Sequence, residues 1–215
     1  MLRVSRIHFP VTALGPGRRV GIWVQGCSIG CAGCVSLDTW DASAGRSVSL
    51  DALAQIVDRA VLDGATGVTI SGGEPFDQAP AVRAVIPKLR DAGRRHGVQL
   101  DVLSYSGYAI RRLRRLHPLT LALLDGVISG PFVADRPTDL ALRGSSNQEL
   151  VVLSELGRER YGDLVRARPA KPPFQVAVSD GAIAMIGIPR RDDLARLTDL
   201  ARASGVRLED VSWSA

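Results

Sequence analysis

The sequence predicts an α/β fold: a partial (β/α) barrel with a small C-terminal hairpin-plus-helix extension. Three observations carry this. Short β-rich runs end in glycine or serine, amphipathic helical stretches alternate with them, and the joins are short. The texture then changes after Leu153, where Pro169, Pro172 and Pro173 mark a linker. The expected division is a core over residues 1–153 and an extension over 154–215 that serves partner or substrate recognition.

Arg19–Gln25 (RVGIWVQ) reads as the first strand and stops at Gly26. Ser49 is placed to cap a helix over Leu50–Leu62, whose Leu53, Ile56, Val57 and Ala60 form an apolar stripe. Gly67–Ser71 is a second strand, closed by Gly72-Gly73, and Ala79–His96 a helix with Pro80 in its first turn and a kink expected at Pro87. Leu100–Tyr105, Gly126–Ser129 and Gln148–Leu153 are further strands, and Ile110–Leu116 is a short helix. In the extension, Phe174–Ser179 and Ala182–Ile188 form a hairpin around Asp180-Gly181, and Asp192–Ser204 a helix. Right-handed crossovers between parallel strands bring their C-terminal ends to one face. The loops there hold residues 26–34, 72–75, 104–108 and 129–132, the position where barrels carry their chemistry.

The composition is that of a globular chain: 215 residues, 46% hydrophobic and 23% charged. No apolar run approaches the ~20 residues that span a bilayer. The segment Met1–Val20 lacks the apolar stretch and cleavage site of a signal peptide. A cytoplasmic location without membrane association is expected. The net charge of +5 is carried mostly by arginine, with Lys88 and Lys171 the only lysines. Scattered arginine reads as solvated helix faces, so nucleic acid is not an expected partner. The one dense run, Arg111, Arg112, Arg114 and Arg115, fits a solvated face or a patch for an acidic partner or phosphate-bearing ligand.

All three cysteines lie in Cys27-Ser-Ile-Gly-Cys31-Ala-Gly-Cys34. An odd number so closely spaced makes a poor disulfide framework, and clustered thiols in a reducing compartment more often ligate metal. A tight loop brings three thiolates to three corners of an iron–sulfur cubane, leaving a fourth iron open. Zinc and a redox or structural trio are the rivals. Zinc takes four ligands, whereas His8, His96 and His117 are distant in sequence. No Ser/His/Asp set, phosphate loop or paired-carboxylate site is discernible, and no catalytic side chain is assigned.

The C-x3-C-x2-C pattern after a first strand resembles the signature of the radical SAM superfamily. That resemblance implies a [4Fe-4S] cluster on Cys27, Cys31 and Cys34 and S-adenosylmethionine on the open iron, cleaved reductively to a 5′-deoxyadenosyl radical. It makes the predicted fold a partial barrel of the radical SAM type. Ser71-Gly72-Gly73-Glu74-Pro75 is similar to the family's GGEP motif. The resemblance implies cofactor contacts from Gly72, Gly73, Glu74 and Pro75, and from Ser104, Ser106 and Tyr108 at and just after the end of the third strand. A side chain at Gly73 is expected to block close approach of the cofactor while leaving the cluster intact.

Gly15-Pro16-Gly17-Arg18-Arg19, Thr39-Trp40 and Tyr105-Ser106-Gly107-Tyr108 resemble motifs of glycyl-radical activating enzymes. Gly130-Pro131-Phe132 and the run Arg143-Gly144-Ser145-Ser146-Asn147-Gln148 resemble those of anaerobic ribonucleotide reductase activating proteins. The resemblance covers roughly Gly15–Leu153. It implies a glycyl-radical enzyme as protein substrate and a reduced flavodoxin or ferredoxin-type electron donor. Val35, Ser36, Ser129 and Glu149 depart from the family's usual residues, and Ser154–Ala215 has no counterpart in its short members. A radical SAM enzyme acting on another peptide or small molecule is the alternative. A non-enzymatic iron–sulfur protein is a third reading, against which the Gly-Gly-Glu-Pro segment argues.

Overall fold

The computed structural model describes residues 1–170, 174–179, 182–189 and 193–207. Its centre is a seven-stranded mixed sheet. In chain order the strands and helices are β1 (Leu2–Val11), β2 (Arg19–Val24), β3 (Arg46–Val48), α1 (Leu50–Leu62), β4 (Gly67–Gly72), α2 (Ala79–Arg95) and β5 (Asp101–Ser106). They continue with α3 (Ile110–Leu116), α4 (Pro118–Leu121), β6 (Gly126–Ser129), β7 (Glu149–Val152) and α5 (Glu155–Tyr161). Strand order is β3-β1-β2-β4-β5-β6-β7. β2, β4, β5 and β6 run parallel, while β1, β3 and β7 pair antiparallel to their neighbours.

The four parallel strands are the expected ones, and their C-terminal ends share one edge. The two N-terminal additions, β1 and β3, were not expected from the sequence. β7 is a correction of direction: its N-terminal residue Glu149, not its C-terminal end, pairs with Ser129 at that edge. The sheet is open, with no ring closure among the described strands.

Helices α1, α2 and α3 form where the sequence places them, whereas α4 and α5 were not expected. The Ser49 hydroxyl accepts from the Ala52 N–H and caps α1. α2 continues through Pro87 as one helix. Leu53 and Val57 of α1 and Val82, Ile86 and Leu89 of α2 are fully buried against Val20, Ile22, Val68, Ile70 and Val102. Each such side chain contributes about 1.5–3 kcal/mol by leaving water. Alternation along the strands turns Trp23, Leu103 and Ile128 to the opposite face.

That second face carries the packing that extends the core. Tyr161 of α5 is fully buried with Leu103, Ile128, Leu142 and Leu150. Beneath it the Arg19 guanidinium is fully buried. It donates to Asp101 at 2.6 Å, Thr69 Oγ1 at 2.6 Å, the Val68 carbonyl at 2.8 Å and the Tyr161 hydroxyl at 3.1 Å. The Tyr161 hydroxyl donates to Asp101 in turn. A buried pair broken on one side costs about 3–5 kcal/mol. The packed body therefore runs past residue 153, through α5 and Val165.

In the extension, strands β8 (Phe174–Ser179) and β9 (Ala182–Gly187) pair antiparallel, and helix α6 spans Asp193–Ala203. Asp180-Gly181, Pro172, Pro173 and Asp192 lie outside the described residues. Ile186 packs with Trp23, Val11 and Leu14, and the Gln175 amide donates to the Pro10 carbonyl at 2.6 Å. Among the described residues no helix is long and apolar enough to cross a membrane.

Candidate functional site

The site forms at the C-terminal edge of the parallel strands, where four loops meet. The first leaves β2 at Gln25 and carries the cysteines. Its stem is closed by backbone bonds from Gly26 N to Thr39 O at 2.8 Å and from Cys27 N to Trp40 O at 3.2 Å. The Gln25 amide donates to the Asp38 and Asp41 carbonyls at 3.0 and 2.9 Å. The Thr39-Trp40 pair thus serves as the base of the loop. Gly26, Gly30 and Gly33 adopt φ of 98°, 60° and 75°, the left-handed region that a tight wrap needs.

Cys27, Cys31 and Cys34 are all half-buried and free of disulfides. Burial pushes the Cys27 and Cys31 thiols up, and the neighbouring cysteines push Cys31 further, so the sulfurs share one field. The Cys34 sulfur accepts from the Ser36 N–H at 3.4 Å. Among the described residues, no three His, Cys, Asp or Glu side chains are gathered to hold a single metal ion. A cubane asks for something else, one thiolate at each of three separate irons. Three thiols on one glycine-bent loop, with no competing histidine, fit that donor set.

The second loop leaves β4. Gly73 N donates to Val24 O at 2.9 Å and Glu74 N to Gly26 O at 2.8 Å, stitching this loop to the cysteine stem. A Cβ on Gly73 would lie 2.1 Å from the Gly26 carbonyl oxygen. Gly73 is therefore demanded by the cysteine loop, and the expectation that a side chain there would spare the cluster is corrected. Gly72, at φ 101°, is also held against backbone, where a Cβ would lie 2.5 Å from the Val24 carbonyl oxygen.

Glu74 is almost fully buried, as is Pro75. The Glu74 carboxylate accepts from Phe76 N at 2.9 Å, Ser106 Oγ at 2.8 Å and Gly107 N at 2.7 Å. Burial pushes it up to about 7, and those three donors offset part of the rise. Ser104 is fully buried, its hydroxyl donating to the Tyr105 carbonyl at 3.1 Å. Of the predicted cofactor contacts, Gly72, Gly73 and Tyr108 keep surface, while the side chains of Glu74, Pro75, Ser104 and Ser106 lie beneath it.

The sequence reading missed Asp77. Its carboxylate accepts from Ser28 N at 2.8 Å, Ser28 Oγ at 2.9 Å and Tyr108 OH at 2.8 Å. The Ser28 and Tyr108 hydroxyl oxygens lie 2.8 Å apart, so their two protons serve three contacts. This triangle pins the residue next to Cys27 to the second and third loops. Ile29 lies directly over Gly107, where a Cβ would come within 2.8 Å of it.

The fourth loop follows β6. Phe132 and Ala134 lie against Gly33. The polar run after it folds back as a brace. Gln148 Nε2 donates to Gly130 O at 3.0 Å, Asn147 Nδ2 to Pro131 O at 2.8 Å, and Ser145 Oγ accepts from Val133 N at 3.1 Å. A cavity of about 370 Å³ opens beside this loop, lined by Arg111, Ser129, Gly130, Asn147 and Glu149. The Asn147 Oδ1 is buried without a hydrogen-bond partner. His96 faces Asp58 and His117 faces Phe76.

With this geometry established, three comparisons bear on the chain. The profile of a family described as 4Fe-4S single cluster domain matches residues 13–151. The anaerobic ribonucleoside-triphosphate reductase-activating protein of Enterobacteria phage T4 is 29% identical, over 63% of this chain and 85% of that protein. The proteins of the same name from Escherichia coli K12 and Vibrio cholerae are 28% and 26% identical, each over 66% of this chain, and over 93% and 92% of their own lengths. Among solved structures, the crystal structure of QueE from Escherichia coli aligns with a TM-score of 0.38 at 15% identity, covering 96% of this chain and 92% of that one.

Proposed function

The chain belongs to the 4Fe-4S single cluster domain family, and from that premise we propose that it is a radical SAM activase that creates a glycyl radical on a partner enzyme. The partner has the character of an anaerobic ribonucleotide reductase, following the relatives' names. One observation carries the reading: the single loop that bears all three thiols is seated against Gly73 through the Gly26 carbonyl and against Gly107 through the Ile29 side chain. Cys27, Cys31 and Cys34 hold the cluster. Gly72, Gly73 and Tyr108 border S-adenosylmethionine, and Glu74, Pro75, Ser104 and Ser106 support that wall from below. When bound, the cluster and S-adenosylmethionine together supply the electron and the radical that removes a hydrogen atom. The protein's own work is placement: Asp77, Ser28 and Tyr108 hold the loop in register over the β4 and β5 ends.

The open sheet with four parallel strands supports a partial barrel, and the electron donor is a reduced flavodoxin or ferredoxin-type protein in the cytoplasm. The catalytic core spans residues 1 to about 167, moved outward from 153 because Tyr161 belongs to it. The remaining hairpin and helix serve recognition.

The test is anaerobic reconstitution. Bound iron of about four per chain, and an EPR signal of the reduced protein that changes with S-adenosylmethionine, are expected. Cys27→Ala, Cys31→Ala and Cys34→Ala should each abolish both. Coexpression with the partner reductase should yield a glycyl-radical signal. Stoichiometric zinc without iron, or no 5′-deoxyadenosine from reduced, cluster-replete protein, would overturn the reading. A second reading, action on another peptide or small molecule, rests on Ser129 and Glu149 lining the cavity beside the fourth loop.

A further inference from the structure

Eight arginines, Arg6, Arg19, Arg90, Arg94, Arg95, Arg158, Arg168 and Arg202, pair with carboxylates. Arg111, Arg112, Arg114 and Arg115 form no such pair among the described residues, and all four are exposed. They fan across the solvent side of α3, whose Leu113 is buried. Leu116 and Leu119, 50% and 65% exposed, adjoin them. Glu149 shares the cavity lining with Arg111 and forms no ion pair there.

The patch is joined to the cysteine loop. The Arg112 guanidinium lies 4.1 Å above the Tyr108 ring, and the Tyr108 hydroxyl bonds Ser28, the residue after Cys27, at 2.8 Å. We propose that this face of α3 is the docking surface for an acidic protein that carries one electron to the cysteine loop; the proposal rests on the activase reading above. One electron leaves the carrier and one is gained at the cluster, with no atom transferred. Such a donor needs only a nearby complementary face, whereas a hydrogen donor has to enter the site. Weak redox encounters bury little area and depend on charge steering. Exposed leucines among unpaired arginines favour a protein over a phosphate polymer, since arginine and apolar contacts recur in protein interfaces.

The experiment uses the reconstituted full chain, with iron content and EPR recorded first; absence of a cluster at that stage sinks the activase reading before this one is tested. Anaerobic stopped flow then follows cluster reduction by two probes, reduced flavodoxin and photoreduced 5-deazaflavin, a small uncharged reductant. In the wild type the flavodoxin rate should fall steeply with salt. The Arg114→Glu/Arg115→Glu variant should lose at least tenfold of that rate at low salt, and Arg114→Gln/Arg115→Gln an intermediate share. Deazaflavin reduction, and 5′-deoxyadenosine formed under it, should match wild type in both variants. An unchanged flavodoxin rate overturns the proposal. So does a parallel loss with both reductants in both variants, which would make the face structural. Loss of glycyl-radical formation under deazaflavin alone also overturns it, assigning the face to the protein substrate.

Discussion

Asp77 accepts both the backbone N–H and the hydroxyl of Ser28, at 2.8 and 2.9 Å, so one carboxylate fixes the start of the cysteine loop to the far side of the β4 turn. Removing it releases the exposed Ser28 N–H to water and loosens Tyr108 at the same time. Asp77→Ala should cost about 1–3 kcal/mol and lower iron retention after gel filtration, while Asp77→Asn keeps one acceptor and recovers part of it. Full iron retention with unaltered EPR in Asp77→Ala would show that the loop needs no such tether.

Gly73→Ala places a methyl group 2.1 Å from the Gly26 carbonyl oxygen. Backbone on both sides prevents a cheap adjustment. Loss of iron binding together with loss of S-adenosylmethionine binding is expected, read by iron analysis and by the cofactor-induced EPR change. A variant that keeps its cluster and loses the cofactor response alone would contradict the packing seen here.

Glu74 titrates near 7 when folded against an ordinary 4.5, because burial penalises its charge. Between those values the folded chain holds a proton that the unfolded chain releases. Its stabilising share is complete below 4.5, declines by about 3 kcal/mol as pH rises to 7, and is constant above. Glu74→Gln, neutral throughout, should flatten that window. Urea midpoints of the cluster-free protein across pH 4.5–7.5 decide it; parallel profiles for the two proteins would refute the assignment.

Tyr161 completes the buried Arg19–Asp101 pair. Tyr161→Phe removes the hydroxyl from a charged partner and should cost about 1.5–3 kcal/mol. A chain ended after Leu153 lacks Tyr161 altogether and should aggregate, whereas one ended after Ala170 should stay soluble and keep its iron. Soluble, iron-replete protein from the shorter chain would place the edge of the core back at β7.

The four parallel strands were legible because each is a buried apolar run stopped by glycine or serine, and loop order followed from crossover handedness. β1 was not legible: Arg6 directly after Ser5 breaks the alternation begun by Leu2 and Val4, where the pairing with β2 also shifts register, and six of its ten residues in a row are half-buried. The direction of β7 depends on the path of residues 130–148, which form no helix to signal a crossover. Asp77 escaped notice because its partners lie 49 and 31 residues away and acquire meaning only when the loops meet. The polar run at 143–148 stood out as a motif, but its work as a brace for the fourth loop is a matter of backbone acceptors that no side-chain pattern reveals.

Arg19 and Tyr161 are separated by 142 residues of chain. At roughly 5–20 residues per second, the ribosome delivers the second about 7–28 s after the first. All three cysteines, and every strand of the parallel sheet, are made before Tyr161, so the guanidinium of Arg19 gains its full set of partners only when the last helix of the core is delivered.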